Sequence, residues 1–274
     1  MSTETVPGLP NPTMSYSRAS DYNKCNYYYY LKREHLDSEG RRLVPAPAAW
    51  LPNGIGVHAA IEGYEKSGRT MPAEVMTRVF TQAWDKSVAG LMFETPVEDW
   101  YWSGPYAPIA DLDRRFKLGT EQTLRYRDFT KGRSEKVWLT PEGQPGVELK
   151  LRVPMDGFDL VVVIDDVLIN GRNRIEVRDH KTGRNPGDPL QLATAATCLK
   201  LDMDVDVESG HFWMARTGKT TEPVAMLDWP ASRVEDAYGD VLNGIATQSF
   251  DPNPSPDNCG MCDMAKHCQY ARYT

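Results

Sequence analysis

The residues best suited to chemistry lie in the middle of the chain, where Asp179 and Lys181 stand two positions apart. Side chains alternate between the faces of a strand, so these two share a face with Ile175 and Val177 beneath them. A carboxylate and an ammonium on an otherwise apolar face are costly to bury unless they meet partners or a cation. A surface salt bridge is the alternative, and the local pattern alone favours it.

Asp159, on the preceding predicted strand, is expected to approach this pair across a hairpin. Two carboxylates that converge from adjacent strands form an oxygen-rich site of the kind that Mg²⁺ or Mn²⁺ occupies. Lys181 would then position the attacking water or stabilise the charge that develops on the phosphorus centre. Three further acidic residues lie near enough to be mistaken for the ligand: Asp156, Asp165 and Asp166.

A second group of metal-binding side chains is divided between the two ends of the chain. One thiol near the N-terminus and three near the C-terminus form it: Cys25, Cys259, Cys262 and Cys268. Cys198 stands among apolar helical residues and is interpreted as a small buried hydrophobe. Four thiolates suit either a tetrahedral zinc ion or an iron–sulfur cluster, and His267 keeps open a zinc site of three cysteines and one histidine.

The composition is that of an ordinary globular protein. The 274 residues are 41% hydrophobic and 25% charged, which allows one elaborated domain or two. No apolar run approaches the ~18 residues of a membrane span, and no export signal is recognisable, so the cysteines indicate a reducing cytoplasm. The net charge of −7 does not exclude a nuclease, because only a locally basic groove is needed to bind nucleic acid.

The elements that would position these residues change in type at Gly146. Alternating apolar and charged residues begin there and predict strands, and Asn170-Gly171 predicts a hairpin turn. Ser17 is the predicted cap of the first helix. Helices are predicted over 17–33, 54–66, 72–91, 109–129, 189–201 and 232–245, and strands over 147–153, 158–164, 174–181, 211–215 and 224–227. This order indicates an α/β or α+β fold with one central sheet.

Several motifs together resemble the RecB-type branch of the PD-(D/E)XK nuclease superfamily. They are Gly54-Ile55-Gly56-Val57-His58, Gly157-Phe158-Asp159, Asp179-His180-Lys181-Thr182-Gly183 and Gln191. The resemblance implies an α/β restriction-endonuclease-like core, in which helices flank a central mixed sheet. Ala195 departs from the pattern, because a tyrosine is usual at that position, and this puts the contact on the substrate side in doubt.

The same resemblance implies a role for each matched residue. His58, Asp159, Asp179 and the carbonyl of His180 would bind Mg²⁺ or Mn²⁺, and Lys181 would be the catalytic lysine. Gln191 would orient that lysine or the DNA. Taken alone, a helical histidine such as His58 is more often a surface or core residue.

The cysteines resemble those of the iron-staple nucleases, which include the CRISPR-associated RecB-like exonucleases and the AddB subunit of AddAB. In these proteins one N-terminal and three C-terminal cysteines surround a [4Fe-4S] cluster. The resemblance implies that such a cluster joins the two ends of this chain and acts as scaffold. Zinc and free thiols remain the alternatives.

These observations predict one RecB-like nuclease domain over 15–274, after a disordered tail over 1–14. Within it we expect a helical insertion over 64–145, a catalytic sheet core over 146–228 and a cluster-binding segment over 250–270. The predicted activity is that of a metal-dependent DNA exonuclease acting on single strands or DNA ends in recombination, repair or CRISPR adaptation, with a phage gene as one source. The alternative is a catalytically inactive iron–sulfur or zinc DNA-binding module of the same fold.

Overall fold

A computed structural model of the chain, which describes residues 11–102 and 104–272, places an eight-stranded mixed sheet between two layers of helices. The strands are β1 (Thr13–Met14), β2 (Lys136–Val137), β3 (Val147–Pro154), β4 (Asp159–Ile169), β5 (Ile175–Lys181), β6 (Val207–Met214), β7 (Lys219–Thr220) and β8 (Val224–Ala225). The predicted α/β fold with a mixed central sheet flanked by helices is confirmed.

Eight α-helices in the described residues cover the two faces of this sheet. They are α1 (Tyr16–Lys24), α2 (Asn26–Tyr29), α3 (Trp50–Lys66), α4 (Ala73–Glu94), α5 (Pro108–Thr130), α6 (Pro189–Met203), α7 (Ala231–Ala246) and α8 (Pro256–Cys259). None of the described helices is both long enough and apolar enough to cross a bilayer.

Strand β4 organises the sheet because it has partners along both of its edges. Strands β3 and β2 pair antiparallel with one edge. On the other edge, β1 pairs in parallel with the first residues of β4, and β5 pairs antiparallel with Asp166 to Ile169. Strand β6 then adds to β5 in parallel through the crossover helix α6. The segment of β4 between Leu160 and Asp166 therefore has no strand partner on the edge that β1 and β5 share.

Each face of the sheet has its own apolar core. One core joins α1, α6 and α7 to inward-facing strand residues such as Leu160, Val177 and Phe212. The other joins α3, α4 and α5 to Trp213 and Ala215 of β6. Because α4 and α5 bury their apolar residues with the sheet, the predicted helical insertion over 64–145 forms one of the two covering layers rather than an appendage.

The beginning of the chain also differs from its prediction. Residues 1–10 of the predicted disordered tail lie outside the described residues, whereas Thr13 and Met14 pair with Asp159 and Leu160. Met14 is fully buried in the core that contains Leu160, Val177 and Phe212, which is called the main core below. The first helix begins at Tyr16, because Ser15 rather than the predicted Ser17 caps it by accepting a hydrogen bond from the Arg18 amide.

Candidate active site

The candidate site lies where β4 and β5 separate. Their main-chain pairing ends at Asp166 and Arg178. Beyond this pair the His180 amide donates to a carboxylate oxygen of Asp165 at 2.6 Å, instead of to the main chain of β4. The separation of the strands leaves space for side chains, and three of them enter it from β4 and β5: Asp165, Asp179 and Lys181.

A shift in the alternation of β4 produces this arrangement. Leu160, Val162 and Ile164 face the core at every second position, but the next core-facing residue, Val167, comes three positions later. The change of phase at Asp165 and Asp166 turns two successive carboxylates towards α3 and α5, as a bulge does. On β3, opposite this point, Glu148 has a φ of 51°, a left-handed conformation that is uncommon for residues with a β-carbon.

His58 of α3 meets Asp165 in this space. The His58 Nδ1 atom lies 3.5 Å from Asp165 Oδ1, and its Nε2 atom lies 3.0 Å from the carbonyl oxygen of His180. Burial alone would lower the pKa of His58, but the Asp165 carboxylate raises it well above its ordinary value. Burial alone would raise the pKa of Asp165, but His58 and the His180 amide lower it. The pair is therefore a strongly coupled acid and base.

Asp179, Lys181 and Gln191 form a closed triangle beside this pair. Lys181 Nζ lies 2.9 Å from Asp179 Oδ2 and donates to Gln191 Oε1 at 2.6 Å, while Gln191 Nε2 donates to Asp179 Oδ1 at 2.5 Å. Gln191 reaches the triangle from the first turn of α6, which Asp188 caps. Burial and the Asp165 charge raise the pKa of Asp179 to about 6, although Lys181 opposes the shift. Two acids are thus held close together in a recessed site.

A buried polar network lies below the site and fixes α3 and α5 against the sheet. Tyr126 of α5 donates to Glu65 of α3 at 2.7 Å and to Asp166 at 3.0 Å, and Asp166 also binds the His180 ring at 2.9 Å. Glu65 and His58 are seven residues apart on α3 and therefore share a helix face. The network consequently orients the helix that carries His58.

Glu148 is a residue of this site that the sequence did not single out. Its carboxylate lies 3.8 Å from His58 Nδ1 and is one-quarter exposed. Neither the alternation of β3 nor its charge distinguishes Glu148 from Lys150 or Arg152. Glu148 is distinguished only by its position beside Asp165 on the paired strand, and that position depends on the register of β3 against β4.

The predicted ligand Asp159 is not brought to the site, and Asp165 of the same strand lies there instead. Asp159 begins β4, where it accepts from Asn11 at 3.1 Å and from Arg152 at 2.7 Å. It stands six residues before Asp165, or about 20 Å along an extended strand. The register of the hairpin between β4 and β5 identifies Asp165. Asn170 pairs with Arg174 across the turn, and counting back from this pair places Asp165 opposite Asp179.

The other matched residues do lie together. The side chains of His58, Asp179, Lys181 and Gln191 and the carbonyl of His180 all face the space between β4 and β5. The ring of His180 is directed away, towards Asp166, although it lies close enough to His58 and Asp165 to complete a cluster of possible ligand atoms. Ala195 is buried in the core that α6 forms with the sheet.

The four terminal cysteines line one cavity that shares no residue with the acidic site. Cys25, Cys259, Cys262 and Cys268 surround it together with Tyr28 and Leu31. None of the four forms a disulfide, and the Sγ atom of Cys25 accepts a hydrogen bond from the Asn253 amide at 3.3 Å. Cys198 is fully buried in the main core instead.

The comparisons with known proteins agree with this geometry. A family model described as the PD-(D/E)XK nuclease superfamily matches residues 13–269, a span that contains every residue of the site. The chain belongs to the PD-(D/E)XK nuclease superfamily. The PD-(D/E)XK fold thus accounts for the mixed sheet and for the acids beside Lys181.

Two phage proteins are similar to this PD-(D/E)XK chain over nearly their whole length. The Gene 69 protein of Mycobacterium phage L5 is 34% identical over 286 aligned positions, covering 94% of this chain and 96% of the phage protein. That of Mycobacterium phage D29 is 32% identical over 272, with the same coverage. A solved structure titled "Crystal structure of SSO0001" covers 80% of this chain and 85% of its own, at 15% identity and a TM-score of 0.28, which is too weak for any conclusion.

Proposed function

We propose that this PD-(D/E)XK protein is a Mg²⁺- or Mn²⁺-dependent deoxyribonuclease with its active site between β4 and β5. The observation that carries the proposal is the convergence of Asp165, Asp179 and Lys181 on two diverging strands, beside His58. In this proposal Asp165 takes the ligand role that the sequence assigned to Asp159.

The donor atoms present fit a hard divalent cation. His58, Asp165, Asp179 and the carbonyl of His180 would hold it, which gives mainly oxygen ligands with one nitrogen. The His58 Nε2 and His180 carbonyl oxygen are 3.0 Å apart. A carbonyl oxygen only accepts, so His58 Nε2 donates here and would have to lose its proton before it could bind a cation.

The side chains of this site would divide the work of hydrolysing a phosphodiester. A bound cation would polarise the scissile phosphate and lower the pKa of an attacking water. Lys181 holds a positive charge where negative charge develops on the phosphate, and Gln191 fixes its direction. Gln191 also donates to Asp179 and so keeps that carboxylate turned into the site. Glu148 faces His58 from β3 and helps to orient its ring.

We further propose that the cysteine cavity holds a [4Fe-4S] cluster that joins the two ends of the chain. Three of its thiols come from one short segment, and the fourth, Cys25, begins α2. Apolar packing by Tyr28, Leu31 and Met264 surrounds the thiols, which suits a cluster shielded from water. The cluster would act as scaffold, because the acidic site draws its residues from β4, β5, α3 and α6.

Zinc is the alternative occupant of this cavity. Among the described residues no three cysteines have sulfur atoms within 4.8 Å of one another, so the choice between zinc and an iron–sulfur cluster depends on metal analysis.

The decisive test of the active site compares two aspartates of the same strand. We expect Asp165→Asn to lower the rate of Mn²⁺-dependent degradation of single-stranded DNA by about 100-fold or more, because the variant loses a charged metal ligand. Asp159→Asn is the matched control and should retain its hydrolysis rate. Equal rates for the wild type and Asp165→Asn would contradict the assignment.

A second measurement separates exonuclease action from endonuclease action. We expect end-labelled linear single strands to be degraded, while a circular single strand of the same sequence resists. Rapid cutting of the circle would show an endonuclease. A wild-type protein that binds DNA but leaves both substrates intact with Mg²⁺ and Mn²⁺ would favour an inactive binding module. The process that uses the activity, whether recombination, repair or CRISPR adaptation, stays a prediction, and the similarity to phage proteins supports a phage role.

A further inference from the structure

None of the described helices lies over one face of the sheet next to the active site. Core-facing residues of β3 and β4 pack against α6, and the residues between them point to the opposite face. On that face Lys150 stands opposite Val163, and Arg152 stands opposite Val161. Helices α3 and α5 cover this face only near Asp165 and beyond, so Lys150, Arg152 and Val163 are exposed. Val163 is 49% exposed, although it lies in the middle of a central strand.

We propose that this uncovered face is a binding track for a single strand of DNA, and this deepens the proposed nuclease function on which it rests. The track is defined by Lys150, Arg152, Val161 and Val163. Its cations would contact phosphates, and its valines would contact sugars and bases.

A basic cavity continues the track away from the active site. The cavity has a volume of about 600 Å³, and Val161 lies on its floor. Four cations line its wall: Arg18, Lys32, Arg33 and Arg42. Acidic residues offset part of this charge. Arg33 lies 2.6 Å from Asp21, Arg18 lies 3.6 Å from Glu34 and Lys32 lies 3.9 Å from Asp263. On the track itself, Arg152 lies 2.7 Å from Asp159, whereas Lys150 has no ion pair with a described residue. Arg42 makes no ion pair with any described residue, and the wall remains net positive.

The track leads directly to the acids. Val161, Val163 and Asp165 alternate along β4, and the four residue steps from Val161 to Asp165 span about 13 Å. This length covers more than one phosphate of a strand. In a chain of net charge −7, a strip with a net positive charge that leads to the acidic site is complementary to a polyanion.

The depth of the active site favours a single strand over a duplex. The side chains of Asp165 and Asp179 are only 11% and 14% exposed, so a scissile phosphate must descend between β4 and β5. A flexible single strand can bend into this space while its neighbouring phosphates stay on the track. A stiff duplex cannot follow the same path without deformation.

Binding measured without metal tests the track separately from hydrolysis. Fluorescence anisotropy with a labelled single-stranded oligonucleotide in chelator should show that Lys150→Glu/Arg152→Glu weakens binding by about tenfold or more. Lys86→Glu/Arg172→Glu is the matched control, since both its residues are exposed, it changes the net charge equally and it lies off the track. The control should bind within about twofold of the wild type, and a duplex should bind the wild type more weakly.

The salt dependence supplies a second measurement with a neutral variant. Lys150→Gln/Arg152→Gln should lower the slope of log K against log salt by about 1.4, because each single-strand phosphate contact contributes about 0.7. An unchanged slope, equal loss in the control variant or preferred binding of duplex would overturn the proposal. A wild type that binds through the track but never cleaves would instead contradict the nuclease function and leave the track standing. Thermal melting of each variant confirms that it is folded.

Discussion

The two ligand groups of this molecule differ in chemistry, in origin along the chain and in what they can accomplish. The acidic site takes oxygen and nitrogen donors from α3, β4 and β5, with Lys181 beside them. The cysteine cavity takes four sulfur donors from Cys25 and from the segment 259–268, and Tyr28 and Leu31 also line it. Hard donors next to a lysine suit a divalent cation that activates water on a phosphate, whereas sulfur donors suit zinc or an iron–sulfur cluster.

This difference implies that activity and stability can be damaged independently. The acidic site is recessed but borders open surface, and its residues cost the fold energy because like charges lie close together. Residues of α2, α8 and the C-terminal segment line the cysteine cavity. In the described chain none of these segments pairs with a strand of the sheet. We therefore expect substitutions in one region to leave the other intact, and the predictions below test that separation.

The largest effect should come from Lys181→Ala. Loss of the ammonium should reduce Mn²⁺-dependent DNA hydrolysis by about 100- to 1,000-fold, because its charge is no longer available at the phosphate. The melting temperature should stay close to that of the wild type, and the iron content should not change. Lys200→Ala, an exposed lysine of α6, is the control. A Lys181→Ala protein with full activity would sink the active-site assignment.

Next in size is the effect of Cys25→Ser on stability. This variant should lose iron and sulfide in an anaerobic preparation, since the N-terminal ligand of the cavity is gone. We expect the melting temperature to fall by about 10 °C or more, where each kcal/mol corresponds to about 2–4 °C in a chain of this size. Cys198→Ala should keep its iron. A colourless, zinc-loaded wild type would overturn the cluster proposal.

Acid should destabilise the sheet region rather than the cysteine cavity. His211 is buried and accepts from Arg178 Nε at 2.9 Å; burial and the Arg178 charge lower its pKa to about 3. Between pH 6.5 and 3, His211 therefore binds a proton in the unfolded chain but not in the folded chain. The free energy of unfolding falls as the pH falls. The loss at pH 5 is about 2 kcal/mol. His211→Gln should show a shallower decline in urea unfolding, and an identical slope would refute this.

The smallest effect concerns the backbone of Glu148. Glu148→Ala should lower activity about tenfold, because His58 loses a carboxylate partner. Glu148→Gly should show the same loss of activity. Its free energy of unfolding should be about 1 kcal/mol higher than that of Glu148→Ala, since glycine adopts the positive φ without strain. Equal stability of the two variants would show that the conformation carries no strain.

The sequence predicted the elements well because their signals are local. The alternation from Val147 to Val153, the Asn170-Gly171 turn and the apolar run of α6 each depend on near neighbours. Asp159 matches the motif Gly157-Phe158-Asp159, whereas Asp165 is distinguished only by its register opposite Asp179 across the hairpin. Glu148 likewise depends on the register of β3 against β4. The buried link from Tyr126 to Asp166 joins residues forty positions apart, and no local pattern reports it.

The positions of the cysteines determine the order in which the two groups of side chains are completed during synthesis. Cys25 and Cys268 are 243 residues apart, so a ribosome adding about 5–20 residues per second separates their synthesis by roughly 10–50 seconds. Every side chain of the acidic site has been made before the last thiol appears. The acids are therefore complete on the growing chain before the cysteine cavity can close.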